Sequence, residues 1–217
     1  EYKRNLMRCP THLSIGQELV AGSFGELSKK KDIFISYHRS HAHYLSKGGD
    51  IKKFIHELYG LKSGCSKGVG GSMHLVDLKK NFFGSTAIVS NSIPVGVGLA
   101  LSKQISNEKG IVFIFIGDAS IEEGVFFESL NFVILKKLPV IFVCENNSFS
   151  VYTHLSVRQP KNRKIYKLIK SFGIKTYFAD QSKPITMINT IAGAINFAHK
   201  TKKPLFIEIK NFRFIEH

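Results

Sequence analysis

Two short, uninterrupted apolar runs, IVFIFI at 111–116 and VIFVC at 140–144, constrain the fold more than any other feature of the chain. Runs this rich in β-branched and aromatic residues, without polar alternation, suit strands buried on both faces, which belong to parallel sheets covered by helices. Between them, Val125, Phe126, Leu130, Val133 and Ile134 recur at helical spacing within 122–136. Glu122 and Glu123 stand at the N-terminal end of that segment, where the helix dipole favours anions. Strand, helix and strand in this order predict a βαβ unit.

The rest of the chain repeats the alternation. Helices are predicted over 16–27 with Ser14 as cap, over 50–59 capped by Asp50, over 94–104 opened by Pro94, over 165–172 and over 184–199. Strands are predicted over 34–37, 174–178 and 205–212. The glycines at 60, 64, 68, 70 and 71 indicate a loop or close backbone approach, and 87–92 a turn. The expectation is one α/β domain over 1–217: a mainly parallel sheet with helices on both faces. Its ends, Glu1 and His217, read as those of a longer protein trimmed to its ordered part.

Composition removes several classes of function. No apolar run approaches the roughly 20 residues that span a bilayer. Cys9, Cys65 and Cys144 form no CxxC pair, so neither a disulfide framework nor a thiolate zinc site is expected, and free thiols suit a soluble cytoplasmic protein. The formal charge of +15 calls for an anionic ligand, an acidic partner or nucleic acid. The lysines, however, read as dispersed clusters at 29–31, 52–53, 79–80 and 202–203 on solvated helix ends and loops, and no aromatic-interleaved RNA signature is present. No nucleic-acid function is expected, and part of the charge is available to an acidic partner.

Asp118 follows the first run in GDASIEEG, and Asn147 follows the second in CENNSF. Parallel sheets bind ligands beyond the carboxyl ends of their strands. A carboxylate and an amide oxygen there, beside the small Ala119 and Ser120, suit a hard cation such as Mg²⁺ that also takes phosphate oxygens.

The stretch GDASIEEGVFFESLNFVILKKLPVIFVCENN resembles the thiamine diphosphate-binding motif, in which GDG is followed at a distance by NN. Its words EEG, FFESLN and LPVIFVCENN are similar to the alpha subunit of the first component of 2-oxo acid dehydrogenases, of pyruvate, branched-chain or acetoin type. HLSIGQE, HRSHAHYLSKGGD, GCSKGVGGSMHL, AIVSNSIPVGVGLA and IEIKNFRFIEH extend the resemblance over essentially the whole chain. It implies the thiamine diphosphate-binding fold, with Mg²⁺ held by Asp118, Asn147 and the Phe149 carbonyl. It also implies diphosphate contacts from His38 and Arg39, with Ala119 and Ser120 flanking them, and Ala87 and Val89 near the aminopyrimidine. A guanidinium at Arg39 forks naturally onto phosphate oxygens. By the same resemblance His12 meets the 2-oxo acid, and His217 is the loop histidine near the reactive carbon and the diphosphate.

The implied reaction is oxidative decarboxylation of a pyruvate-like 2-oxo acid, with the acyl group passed to the lipoyl group of an acyltransferase component. The activating glutamate would come from a beta subunit in an α2β2 assembly. The alternatives are acetoin cleavage, half of a split transketolase, or an inactive regulatory or binding paralogue. LPVIFVCENN and GGSMHL weigh against the transketolase, and the intact Asp118 and Asn147 against the paralogue. Four departures stand out: GDA at Ala119, His38-Arg39 for a tyrosine-arginine pair, AIVS for a GIVG turn, and FIEH at the end. Ala119 and Ala87 then require a backbone that tolerates a Cβ. The glycines of 95–101 suit either subunit packing or packing on the sheet. The loop 64–71 lacks GxxxxGK[ST], so it is no ATP-binding loop. Of the other histidines, His56, His154 and His199 read as structural, while His41, His43 and His74 belong to polar loops or to the neighbourhood of the site.

Overall fold

The computed structural model describes residues 4, 6–7 and 9–215. Its elements are α1 (Glu18–Leu27), β1 (Ile33–Ser36), α2 (His41–Ser46), α3 (Ile51–Leu58), β2 (Phe82–Ser85), α4 (Ser92–Ile105), β3 (Val112–Gly117), α5 (Gly124–Lys136) and β4 (Val140–Asn146). A small hairpin, β5 (Phe149–Ser150) with β6 (Thr153–His154), follows. The chain then runs through α6 (Leu155–Arg158), α7 (Ile165–Lys170), β7 (Lys175–Asp180), α8 (Pro184–Thr201) and β8 (Leu205–Lys210).

The all-apolar runs become β3 and β4 because the centre of this sheet is covered on both sides. Six strands pair in the order β2-β1-β3-β4-β8-β7, every neighbouring pair parallel. Along β3, Phe113 and Phe115 face one core, with α1, α2, α3 and α8. Val112, Ile114 and Ile116 face the other, with α4, α5 and α7. Each side chain of this strand is fully buried, which stabilises the fold by roughly 1.5–3 kcal/mol per large apolar residue. Helices therefore lie on both faces, as the sequence predicts.

Several local expectations change. Ser14 does not cap α1: Gln17 occupies the N-cap position without a side-chain cap, and the Ser14 carbonyl accepts the Gln17 N–H at 2.9 Å. Pro94 is the third residue of α4 rather than its first. A 3₁₀ turn, Asp118–Glu122, precedes α5, which leaves Glu122 outside the α-helix and free to take part in the site. Of the two glycines of α4, one packs on the sheet. A Cβ at Gly96 would lie 2.7 Å from Ile114, so Gly96 packs on the sheet, whereas Gly98 faces open space.

A sheet with all strands parallel sends every loop that follows a strand to one edge and every loop that precedes a strand to the other. The lysine runs 29–31, 79–80, 136–137 and 202–203 all precede strands. Dispersed in sequence, they gather at the amino edge. Several follow helix C-termini, where the dipole favours cations. Among the described residues no helix is long and apolar enough to cross a membrane.

Candidate functional site

A cavity of about 300 Å³ opens at the carboxyl edge of the sheet. His12, His38, Arg39, Ala87, Val89, Asp118, Ala119, Ser120, Asn147 and Phe149 all line it, joined by Tyr37, Met73 and Arg213. His217, the remaining residue singled out from sequence, lies outside the described residues.

Asp118 stands where β3 ends and the 3₁₀ turn begins, and it is 1% exposed. Its Oδ2 is held by the Arg158 guanidinium, whose other terminal nitrogen lies 2.6 Å from Glu122 Oε1. Gln159 Nε2 donates to the same Glu122 oxygen at 2.9 Å. Burial pushes the Asp118 carboxyl above its usual range, and the Arg158 bond works against that rise without cancelling it. The turn is tied to residues 87–91 by Ser90 Oγ, which donates to the Ser120 carbonyl at 3.2 Å.

β4 delivers two asparagines with different duties. Asn146 donates from Nδ2 to the buried Glu208 at 2.7 Å and accepts the Ser148 N–H at 3.0 Å. Asn147 accepts the Phe149 N–H at 2.9 Å and lines the cavity. Positive φ at Ser148 (66°) and Val151 (53°) turns the chain into the β5–β6 hairpin; for a β-branched valine that conformation is strained. The hairpin leads into α6, and Arg158 at its end reaches back to Asp118. The segment that carries Asn147 and Phe149 is thus fastened at its far end to the other oxygen-donor residue.

Tyr37, His38 and Arg39 follow β1. The Tyr37 hydroxyl donates away from the cavity to Glu145 Oε2 at 2.9 Å, and burial together with that carboxylate raises the phenol well above its ordinary value. His43 Nε2 also lies 3.1 Å from Glu145 Oε2, out of line for a hydrogen bond, while its ring stacks on Phe115 at 4.0 Å. The His38 ring packs edge-on against Tyr37 at 5.2 Å and against His12 at 4.9 Å. His12 donates its backbone N–H to Ser72 Oγ at 3.2 Å, and His41 Nε2 lies 2.7 Å from the same hydroxyl. Burial lowers His41 to about 4, so its imidazole is neutral near pH 7. His41 and His43 therefore stand behind the cavity wall. The Arg39 guanidinium, 2% exposed and lowered by burial, donates to the Leu13 carbonyl.

Neither Ala119 nor Ala87 has positive φ, so both backbones accept a Cβ; within AIVS it is Ser90, at 64°, that takes the left-handed conformation. The glycine-rich loop 64–71 is a cradle, but for the chain's own carboxylate. Glu57, fully buried, accepts N–H bonds from Ser66 and Gly68 on Oε2 and from Gly70 and Gly71 on Oε1.

Sequence reasoning passes over Arg158, Arg213 and Tyr37. Arg213 was within reach: it follows β8 at the ligand-binding edge, and it donates to the Val151 carbonyl at 2.7 Å. Arg158 meets Asp118 only through the fold. Asp118, Asn147 and the Phe149 carbonyl form an all-oxygen donor set of the hardness Mg²⁺ prefers. Among the described residues no three His, Cys, Asp or Glu side chains cluster as a metal cage. A cation here would complete its shell with oxygens from a bound phosphate or water, so the donor set fits a metal that arrives with a diphosphate.

A family model described as the dehydrogenase E1 component matches residues 1–217. A pyruvate dehydrogenase E1 component subunit alpha from Rickettsia felis is 37% identical over 206 residues, covering 95% of this chain and 63% of that protein. The chloroplastic pyruvate dehydrogenase E1 component subunit alpha-3 of Arabidopsis thaliana is 34% identical over 223 residues, covering 100% of this chain and 52% of that protein. The chain thus spans between half and two thirds of these relatives' lengths. In fold it is similar to a transketolase from Campylobacter jejuni, with a TM-score of 0.68 and 17% identity over 91% of this chain and 33% of that one. It is also similar to a putative thiamin diphosphate-dependent enzyme from Mycobacterium smegmatis, with a TM-score of 0.59 and 13% identity over 92% of this chain and 34% of that one.

Proposed function

The chain belongs to the dehydrogenase E1 component family, and on that premise we propose that it is the alpha subunit of a thiamine diphosphate- and Mg²⁺-dependent 2-oxo acid dehydrogenase. The reaction is oxidative decarboxylation of a pyruvate-like 2-oxo acid, with the acyl group delivered to a lipoyl group on an acyltransferase component. The observation that carries this reading is the convergence of Asp118, Asn147 and Phe149 on one cavity with Arg39, Arg213, His38 and His12.

Thiamine diphosphate, when bound, supplies the electron sink for decarboxylation. The work of this chain is to hold and orient. Asp118, Asn147 and the Phe149 carbonyl would hold Mg²⁺, and Arg39 and Arg213 would attract the diphosphate. Ala119 and Ser120 would flank the diphosphate, and Ala87 and Val89 would stand near the aminopyrimidine. His38 and His12, packed ring on ring, hold or donate protons where charge develops on the substrate; His217 extends this role from the last residues of the chain. The proton acceptor that activates the cofactor belongs to a beta subunit, which also closes the cavity, in an α2β2 assembly. Cys9, Cys65 and Cys144 are free thiols, in keeping with a cytoplasmic setting. The likeness to transketolase is one of fold and lends no separate support to ketol transfer.

Reconstitution tests the reading. The chain, co-expressed with a beta subunit from its own genome, should reduce an artificial electron acceptor when given a 2-oxo acid, thiamine diphosphate and Mg²⁺. An assembled complex that turns over none of pyruvate, branched-chain 2-oxo acids or acetoin would refute it.

A further inference from the structure

The amino edge of the sheet, opposite the cavity, is both the basic end of the molecule and an apolar one. A recess of about 270 Å³ opens there between the end of α5, the end of α8 and the start of β7. Ile134, Ile174, Phe197 and Pro204 form its apolar lining, and Lys137, Lys175 and Lys203, all exposed, stand around it. Beyond it lie Leu135, 71% exposed, and Ile105, 76% exposed, at the ends of α5 and α4. Helix dipoles account for lysines in the last turns. They do not account for large apolar side chains left in water among those lysines, nor for a concave apolar floor beneath them.

We propose that this surface docks an acidic protein segment that seats an apolar side chain in the recess. Charge complementarity selects an acidic partner, and it steers the encounter as well as holding the complex. The recess selects a protein segment over other polyanions: anchor side chains fill pockets of this kind at protein interfaces. Single-stranded nucleic acid asks instead for exposed stacking aromatics, and the lining here is aliphatic apart from Phe197. An anionic membrane takes up protruding side chains such as Leu135 and Ile105 but leaves a hollow such as this one unfilled, whereas a protein side chain fills it.

The test uses the full chain and a short labelled Asp/Glu peptide with a central Phe-Leu pair, titrated by fluorescence anisotropy. The same peptide with Ser-Ser in the centre, a single-stranded RNA and vesicles of anionic phospholipid serve as competing probes. The expected result is salt-sensitive binding of the Phe-Leu peptide, tighter than that of the other three probes. Binding should weaken roughly tenfold or more in the triple variant K137E/K175E/K203E. It should persist in the charge-matched K161E/K164E/K183E, whose positions lie toward the other edge. Comparing the two peptides on the unaltered chain needs no variant to fold. The proposal is overturned if the Phe-Leu peptide does not bind, if the Ser-Ser peptide binds equally, or if RNA or vesicles bind more tightly.

Discussion

Arg158 offsets the charge that Asp118 presents to the cavity and, through its second ion pair with Glu122, holds the hairpin beside it. Replacing it leaves Asp118 buried without its cation, which should cost about 3 kcal/mol; urea denaturation of Arg158→Met measures this, and an unchanged midpoint would mean the two ion pairs contribute nothing. His41 makes a prediction of opposite character. Its value falls from the ordinary 6.5 to about 4 on folding because burial disfavours the imidazolium. Between those values the unfolded chain binds the extra proton, so stability falls as pH drops from 6.5 toward 4. The loss approaches about 3 kcal/mol at the acid end. His41→Gln should flatten that fall in melts run across this range, and an identical slope would contradict the assignment. The difference between Asp118 and Arg158 also marks what a sequence discloses at this scale. Asp118 stands directly after a strand and is found from the strand, whereas Arg158 reaches it across a hairpin and a short helix whose return path no local pattern encodes.

The elements follow the same logic. β3, β4, α5 and α8 were legible because each is a long or uniformly apolar segment whose pattern admits one structure. α2, β2 and the β5–β6 hairpin were not. HAHYLS and FFGS are short and in part polar, and they become helix and strand only because α1 and β1 pack beside them. The loop 64–71 shows how a glycine-rich segment acquires one conformation. Four of its N–H groups converge on Glu57, and positive φ at Gly68 (78°) and Gly71 (58°) lets them turn inward. Glu57→Gln replaces one acceptor oxygen with an NH₂ facing donors, at an expected cost of about 2–3 kcal/mol. Hydrogen exchange should show faster exchange at 66–71 in that variant; unaltered protection would mean that the glycines alone order the loop.

For the whole molecule, parallel pairing of the six strands of the main sheet separates two ends: a carboxyl edge, where Asp118, Asn147, Arg39 and Arg213 line one cavity, and a lysine-rich edge that a reading along the chain leaves scattered. Like charges gathered at one end repel, and the Debye length of about 10 Å at 0.1 M salt falls within the dimensions of that surface. Thermal stability should therefore rise with sodium chloride between low and moderate concentration, and a Tm independent of salt would contradict the picture of a crowded basic edge. The other edge is proposed to bind thiamine diphosphate through Mg²⁺. Calorimetric titration of thiamine diphosphate into the chain assembled with its beta subunit, with Mg²⁺, with EDTA and in Asp118→Ala, tests it most directly. Binding should require Mg²⁺ and be lost in Asp118→Ala; no binding in a folded, assembled complex, or binding indifferent to both changes, would refute the cofactor site.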